Sequence, residues 1–552
     1  YVWLAALASV MPRLNSGRAK ELTIFLLIAT GIAQVAWSFF IWQGIGDPQG
    51  FHYGTFYAPN QYAGYIGMVA PLVLVPFFVS RNPLRVFLWG FLGAFVYLGI
   101  FLTGSRAGLG AAAAGALITG GIAARKSPRL TAIKAAGLIA ILIALSLGVR
   151  PLIFPDKVSF GSSSATESGQ KNRIDDSLKF RFLWAEAAVR SGLDRPLSGA
   201  GPGTFGMRMF KFQGPQASWA RAAHNQYLEA WSDGGVLLFL GILILPLMVI
   251  WKVGSRWDFV DIDPTSQWDA GLLGGLATGS VHMLFDTDWS FPAFAAVFVI
   301  LVALLAARLR EISFAAKPIR LVSAVIASAT LIGVAAGLAA PELRGSSDGA
   351  TAARRASLLK PYSAEPHEFL ANRDVPTDDK DALAPARASI QKAIRVKQIE
   401  PSLWWRLAEI EAMLGRPDAA RSAYRHAQKI GPHAVRLYLV WSTFELEQGD
   451  PRRAEFLAQR GLNLIKARLD EARLISTKAL LLIARARAEI ALGDGEAAVG
   501  SAVEATKTAP GIGDIWQGLA EIACATGDPA RAAEASENAV KLGVPTDQIA
   551  KC

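Results

Sequence analysis

Apolar positions gather into long uninterrupted runs at residues 22–42, 62–79, 84–102, 107–124, 131–149, 235–253, 268–285, 289–309 and 319–340. Each holds at least 18 residues, which at about 1.5 Å of rise per residue approaches or exceeds the hydrocarbon thickness of a bilayer, so each predicts a transmembrane helix. A shorter apolar run at 1–11 reads as the end of a span already under way and implies a chain lacking its true N-terminus. Two stretches break the pattern: a polar interval at 150–234, and everything from 341 to 552, where the composition shifts to Ala, Arg and Glu.

The short joints between spans alternate in charge. Arg13, Arg18 and Lys20, then Arg81 and Arg85, then Arg125, Lys126 and Arg129, then Lys252 and Arg256, and finally Arg308, Arg310, Lys317 and Arg320 mark every second joint as cytoplasmic. The alternate joints, 43–61, 103–106 and 286–288, hold Arg106 as their single Lys or Arg, so they face outward. The long loop 150–234 falls on that outer side, and so does the chain beyond 340; its eleven basic residues do not alter this, because long loops report orientation poorly. The net charge of +11 therefore reads as membrane orientation, with no nucleic-acid partner. Within the loop, 154–173 is Ser/Gly/Lys-rich and expected to be mobile. Asp176 or Ser177 then caps a helix with Leu178, Phe182, Ala185 and Val189 on one face and Gly192 at its end, an amphipathic helix suited to a membrane surface.

Residues 341–552 repeat themselves. The turn signatures LGRPDAA, QGDPRRA, LGDGEAA and TGDPARA place Gly415, Gly449, Gly493 and Gly527 at intervals of 34, 44 and 34 residues. A 34-residue period with helix–turn–helix content is the tetratricopeptide signature, the middle interval carrying an insertion of ten. Trp404, Leu407, Ala408, Ala420, Tyr424, Ala427 and Pro432 occupy its packing positions, as do Trp516, Leu519, Ala520, Ala532 and Ala539 in the last unit. The expected fold is all-α: a polytopic transmembrane helical bundle over 1–340 with a long outer-face loop, followed by an α-solenoid of tetratricopeptide repeats over 341–552. The two cysteines, Cys524 and Cys552, form no metal-ligand cluster or disulfide framework on this reading: one is a small apolar helix residue, the other a stray end residue.

Candidate chemistry sits at outward-facing positions. Residues 198–235 combine a Gly/Pro turn run, a basic segment and a histidine opening a helical stretch. The run GAGPGTF at 199–205 follows no strand, so it is no nucleotide loop; it reads as a tight turn beside a site, where glycines let backbone approach a ligand. His224 is a candidate general base, imidazole being the side chain whose ordinary pKa lies nearest neutrality; a hydrogen-bonded structural histidine at a helix start fits the same pattern. Arg106, in LTGSRAG, has a guanidinium suited to bidentate contact with phosphate oxygens, or to snorkelling toward headgroups. Arg181 is either a second such clamp or a solvated helix residue. Asn60, Asp286 and Asp288 lie at outer span ends, where carboxylates either orient His224 or an acceptor, or serve as caps and turn residues. His282, one turn before Asp286, is placed to pair with it. Metal-ligand spacing is absent from the sequence, which calls for neither metal nor cofactor.

FYAPNQYAGYIGMVAPL, LTGSRAG, RFLWAEAAVRSGLDRPLSGAGPGTF and HNQYLEAWSDGG, in that order and around a long outer loop, resemble the O-antigen ligase and polymerase superfamily over about residues 20–310. The resemblance implies a multi-pass protein of the bacterial inner (cytoplasmic) membrane, with the repeats on the periplasmic or extracellular side. It also implies a metal-independent glycosyltransferase that moves a glycan from an undecaprenyl diphosphate carrier, held among membrane lipid, to an acceptor hydroxyl on a glycan, lipid or protein. The ligase motif of His, then Asn, Ser or Gln, nine residues and Gly is met by His224, Asn225 and Gly235, whereas the Thr three residues further on is Leu238 here. The family's arginines are matched by Arg106 and Arg181. Other readings stay open: a polymerase of carrier-linked glycans, an oligosaccharyltransferase acting on protein, or a non-catalytic membrane-anchored scaffold whose repeats hold an envelope protein.

Overall fold

The computed structural model describes residues 17–45, 54–56, 58–125, 127–153, 167–201, 203–255, 267–306, 349–359, 364–374, 380–468, 474–546 and 552. The spans expected at 1–11 and 319–340, and the division at 340–341, lie outside them. The first helices are α1 (Gly17–Ile45), α2 (Pro59–Val79), α3 (Pro83–Leu102), α4 (Arg106–Ala124), α5 (Pro128–Ile153), α6 (Glu167–Asp194), α7 (Phe205–Phe212), α8 (Gln226–Ser255), α9 (Trp268–His282) and α10 (Pro292–Ala306). Among the described residues five stretches are long and apolar enough to cross a membrane: Gly17–Phe40, Pro59–Val79, Pro83–Leu102, Arg106–Ala124 and Gln226–Trp251. The chain is a multi-pass membrane protein. Two compact units emerge over the described residues, one within 1–181, 192–202 and 222–333, the other within 182–191, 203–221 and 334–552.

In the first unit α9 is the central helix, buried on nearly every side by α2, α4 and α10. Hydrophobic burial does not drive helices together in lipid, so close backbone approach and van der Waals contact must do so. Gly115 of α4 and Gly274 of α9 mark the crossing: a Cβ on either would lie 2.6 Å from the other's carbonyl oxygen. Thr119 and Thr278 line the same seam and return their hydroxyls to backbone, Thr119 reaching Gly115 O at 3.0 Å and Ala270 O at 3.1 Å. At one end of this unit Lys20 pairs with the fully buried Asp269 at 2.8 Å, and Lys134 donates to the last carbonyls of α2, Phe77 O, Phe78 O and Ser80 O, at 2.7–3.0 Å. Those carbonyls have no intrahelical partner, and the ammonium supplies one.

The outer-loop helix differs from its expectation. α6 begins at Glu167 rather than at Asp176 or Ser177, so part of the stretch expected to be mobile is helical, and it runs through Gly192 to Asp194. Its buried residues are Ala187, Ala188, Ser191 and Gly192, whereas Phe182 is 75% exposed. The apolar face predicted on Phe182 and Val189 is therefore the exposed one.

The repeats are α11 (Gly349–Leu359), α12 (Glu365–Asp374), α13 (Lys380–Val396), α14 (Pro401–Met413), α15 (Pro417–Ile430), α16 (Val435–Glu447), α17 (Pro451–Lys466), α18 (Ile475–Ala491), α19 (Gly495–Thr508), α20 (Gly513–Ala525) and α21 (Pro529–Lys541). All four predicted turns share one construction. Gly415, Gly449, Gly493 and Gly527 have φ of 72°, 77°, 84° and 74°, and the residue after each donates its N–H to the carbonyl five positions back, at 2.9 Å every time. This is a helix C-cap with glycine in the left-handed region. In the last three turns the aspartate that follows then caps the next helix, accepting N–H at 3.0–3.1 Å. The aromatic position also recurs: Trp404, Tyr438 and Trp516 each donate to the carbonyl six residues earlier, at 2.7–2.8 Å. Leu407, Ala408, Ala420, Tyr424, Ala427, Leu519, Ala520, Ala532 and Ala539 are buried as the repeat demands. The cysteines overturn the expectation for them: Cys524 of α20 and Cys552 form a disulfide, their Cα atoms 5.2 Å apart. A separation of 28 residues, with no spacing motif, concealed the pairing.

Candidate active site

The site is built where the start of α8 meets the end of α9. Asn225 caps α8, its Oδ1 accepting the Leu228 N–H at 3.0 Å while Nδ2 donates to Leu284 O at 2.9 Å. Gln226 N–H donates to Met283 O and Asp286 O, its Oε1 accepts the Trp289 N–H at 2.8 Å, and Tyr227 Oη donates to Ser280 O at 2.9 Å. The residue just before this cluster, His224, has φ of 49°. A non-glycine residue there costs on the order of 1–3 kcal/mol and persists only where its surroundings over-determine it. Asn225, Gln226 and Tyr227 do so.

The strained turn delivers the imidazole to a carboxylate. His224 Nδ1 lies 3.2 Å from Asp286 Oδ1, with the His224 side chain 34% exposed and that of Asp286 2%. Thr287 N–H donates to the same Oδ1 at 2.8 Å, and Gln61 Nε2 approaches Oδ2 at 3.5 Å. Burial disfavours the Asp286 charge, but the hydrogen bond and charge of His224, helped by the Thr287 N–H, outweigh it and hold the carboxyl below its ordinary value. An ionised Asp286 takes the proton-bearing Nδ1, which leaves the lone pair on Nε2. Because its folded pKa is depressed, Asp286 contributes stability that is present above the ordinary aspartate value and lost as pH falls through the lowered one. The thermal stability of detergent-solubilised protein should therefore fall below about pH 4, and Asp286→Asn should flatten that acid limb. An unchanged acid limb in the variant would remove Asp286 from the linkage.

The second carboxylate serves another histidine. His282 Nδ1 pairs with Asp288 Oδ2 at 2.7 Å, both side chains fully buried, which corrects the expected pairing of His282 with Asp286. Helical spacing brings 282 and 286 to one face only while the helix lasts, and α9 ends at His282. Burial pushes the Asp288 carboxyl up, against the opposing pull of His282. Asn60 makes no hydrogen bond among the described residues; its neighbour Gln61 is the one that turns to Asp286. Arg181 is half-buried, and its charge is felt at His282. Arg106 stands exposed at the first position of α4, whose cap Ser105 accepts the Gly108 N–H at 3.0 Å; it makes no hydrogen bond or ion pair with the other candidates. Among the described residues no group of three or more His, Cys, Asp or Glu is arranged to hold a metal ion.

The glycine run forms a tight turn, with Gly199, Gly201 and Gly203 at positive φ. α8 is broken at Gly235, with φ 64° and ψ −161°, which frees carbonyls one turn back. Ala200 and Gly201 donate to two of them, Ser232 O at 3.1 Å and Asp233 O at 2.8 Å, and Val236 N–H is taken by Pro196 O at 2.8 Å. A Cβ on Gly199 would collide with the Asp233 backbone. Gly199 to Gly201 thus pack against the backbone of α8, and Gly235 of the His–Asn–Gly pattern is the kink itself.

Fold and site define a class: a multi-pass helical membrane protein bearing a loop-borne histidine–carboxylate pair and joined to a helical-repeat domain. Residues 91–243, which include Arg106, Arg181, His224, Asn225 and Gly235, match the family model described as O-antigen ligase, and residues 383–435 and 483–543 match that of the tetratricopeptide repeat. The membrane part accordingly carries a segment similar to the O-antigen ligase family. No curated protein matches the chain. Solved structures similar to it include YrrB, a TPR protein with an unusual peptide-binding site (16% identity, 35% of this chain and 93% of that one, TM-score 0.25), and yeast Tom70 (12%, 96% and 94%, 0.31). The Cut9–Hcn1 hetero-tetramer of APC/C is another (12%, 88% and 91%, 0.23). With every TM-score below 0.5, the repeat assignment rests on the sequence match and on the turns described above.

Proposed function

We propose that the protein transfers a glycan from an undecaprenyl diphosphate carrier to an acceptor hydroxyl at the outer face of the inner membrane, without a metal. The observation that carries this reading is the partly exposed His224 ring held by Nδ1 on a buried carboxylate, the pairing of a histidine base with the acid that orients it. His224 takes the acceptor proton as the acceptor oxygen bonds to the anomeric carbon and the bond from that carbon to the diphosphate breaks. Arg106 and Arg181 neutralise the departing diphosphate, neither having an ion pair of its own among the described residues.

Two observations support an outward-facing repeat domain. Disulfides such as Cys524–Cys552 persist in oxidising compartments outside the cytoplasm. Within the second unit, moreover, the loop helix α7 touches the repeat helix α15. The repeats then recruit an acceptor or an envelope protein, and Leu238 in place of the ligase threonine leaves lipid, glycan and protein acceptors all to be tried.

The test is transfer from purified undecaprenyl diphosphate-linked oligosaccharide by the full chain, with and without a chelator, following released carrier diphosphate and identifying products by mass spectrometry. Chelator-insensitive release coupled to a glycosylated acceptor is the expected result. No release with any acceptor class would turn the reading toward a scaffold.

A further inference from the structure

We propose that Glu229 is a positioning residue that holds His224 and Asp286 together through one carboxylate oxygen shared by the two segments that carry them. The proposal rests on the reading of His224 as the base. Glu229 lies in the first turn of α8 and is buried. Its Oε2 accepts the N–H of Ala223, the residue before His224, at 2.9 Å, and the hydroxyl of Thr287, the residue after Asp286, at 3.1 Å. The His224–Asp286 contact at 3.2 Å joins the same two segments a second time. Residues 223–224, Glu229 and 286–287 therefore close a ring of bonds.

The second tie acts on the chain that enters His224, whereas the bonds of Asn225, Gln226 and Tyr227 hold the chain that leaves it. Anchoring the Ala223 N–H fixes the peptide that leads into His224. Anchoring the Thr287 hydroxyl to the same atom fixes the turn carrying Asp286 relative to it. A carboxylate oxygen accepts two donors at once, and so does the carbonyl oxygen of glutamine. Alanine accepts none.

The test compares Glu229→Ala, Glu229→Gln and Thr287→Val in the full chain, alongside His224→Ala, in the carrier-diphosphate release assay. In Glu229→Ala, kcat should fall on the order of 10²-fold while KM for the lipid-linked donor stays within about twofold, as expected for lost alignment and not lost binding. Glu229→Gln should recover to within about fivefold of wild type, since it keeps an oxygen acceptor. Adding Thr287→Val to Glu229→Ala should cost little more, because the two residues act as one link. Wild-type kcat in Glu229→Ala, or losses in the pair that simply add, would overturn the proposal while leaving the base intact.

A second readout needs no turnover: the rate at which diethyl pyrocarbonate modifies His224, followed by mass spectrometry. A several-fold faster rate in Glu229→Ala than in Glu229→Gln supports the tie, and equal rates overturn it. Should Glu229→Ala fail to fold, Thr287→Val against wild type makes the same comparison. Full activity in His224→Ala would instead refute the functional reading, and the modification rates would still decide whether Glu229 holds the ring.

Discussion

Replacing His224 by alanine should lower transfer by roughly 10²–10⁴-fold, the usual contribution of a general base. The protein should still fold, because the junction around it is held by Asn225, Gln226 and Tyr227, each bonded to the end of α9 or the turn beyond it. Loss of the ring also relieves no packing, since the His224 side chain is a third exposed. The measurement is single-turnover release of carrier diphosphate, normalised to protein that elutes as a single species in detergent. Wild-type rates would remove His224 from the chemistry and return it to the structural role that its helix-start position equally allows. Asp286→Asn should show a comparable defect, because an amide neither holds the proton on Nδ1 nor supplies the charge that stabilises an imidazolium.

Arg106→Ala should cost on the order of 10²–10³-fold in kcat, the scale seen when a preorganised group facing developing charge is removed. Arg106→Lys should recover only part of this, since an ammonium keeps the charge but not the planar fork that meets two phosphate oxygens. The fold should be indifferent: Arg106 is exposed at the start of α4, and that helix is capped by Ser105 and seated on α9 at Gly115. Titration with a carrier-linked donor separates the possibilities. A change confined to KM would make Arg106 a ground-state contact, and no change in either constant would leave it a headgroup-facing residue.

The legible part of this chain is the part written in periodicity. Five of the expected spans, among the described residues, announced themselves as apolar runs, and the repeats as glycines 34, 44 and 34 residues apart, because each turn needs a left-handed residue at the same place. His224 and its Asn225 were legible as a helix opening, and the carboxylates as residues at span ends, but which carboxylate serves which histidine was not. That choice depends on where α9 stops, and a helix end is set by the turn chemistry of residues 283–287 rather than by the spacing of 282 and 286. Glu229 was invisible for a related reason: a glutamate in a first helical turn is what the helix dipole favours anyway. Gln61 was one position from the residue singled out, Asn60, and only the rotation of α2 distinguishes them. The glycine run was legible as a turn, but its partner was not, because close approach to a ligand and close approach to another backbone ask for the same residue.

Because α8 is broken at Gly235, the part of it that lies deeper in the bilayer can lean without dragging the catalytic turn along. Transmembrane helices tilt to match the thickness of the lipid around them, and a straight α8 would pass such a tilt directly to residues 225–229. Here the lean is taken up at Gly235, where Ala200, Gly201 and Pro196 grip both sides of the joint, while the first turn stays bolted to residues 280–289. The kink thus separates the direction of the apolar span from that of the turn that carries His224, so that tilt in the one is not passed straight to the other.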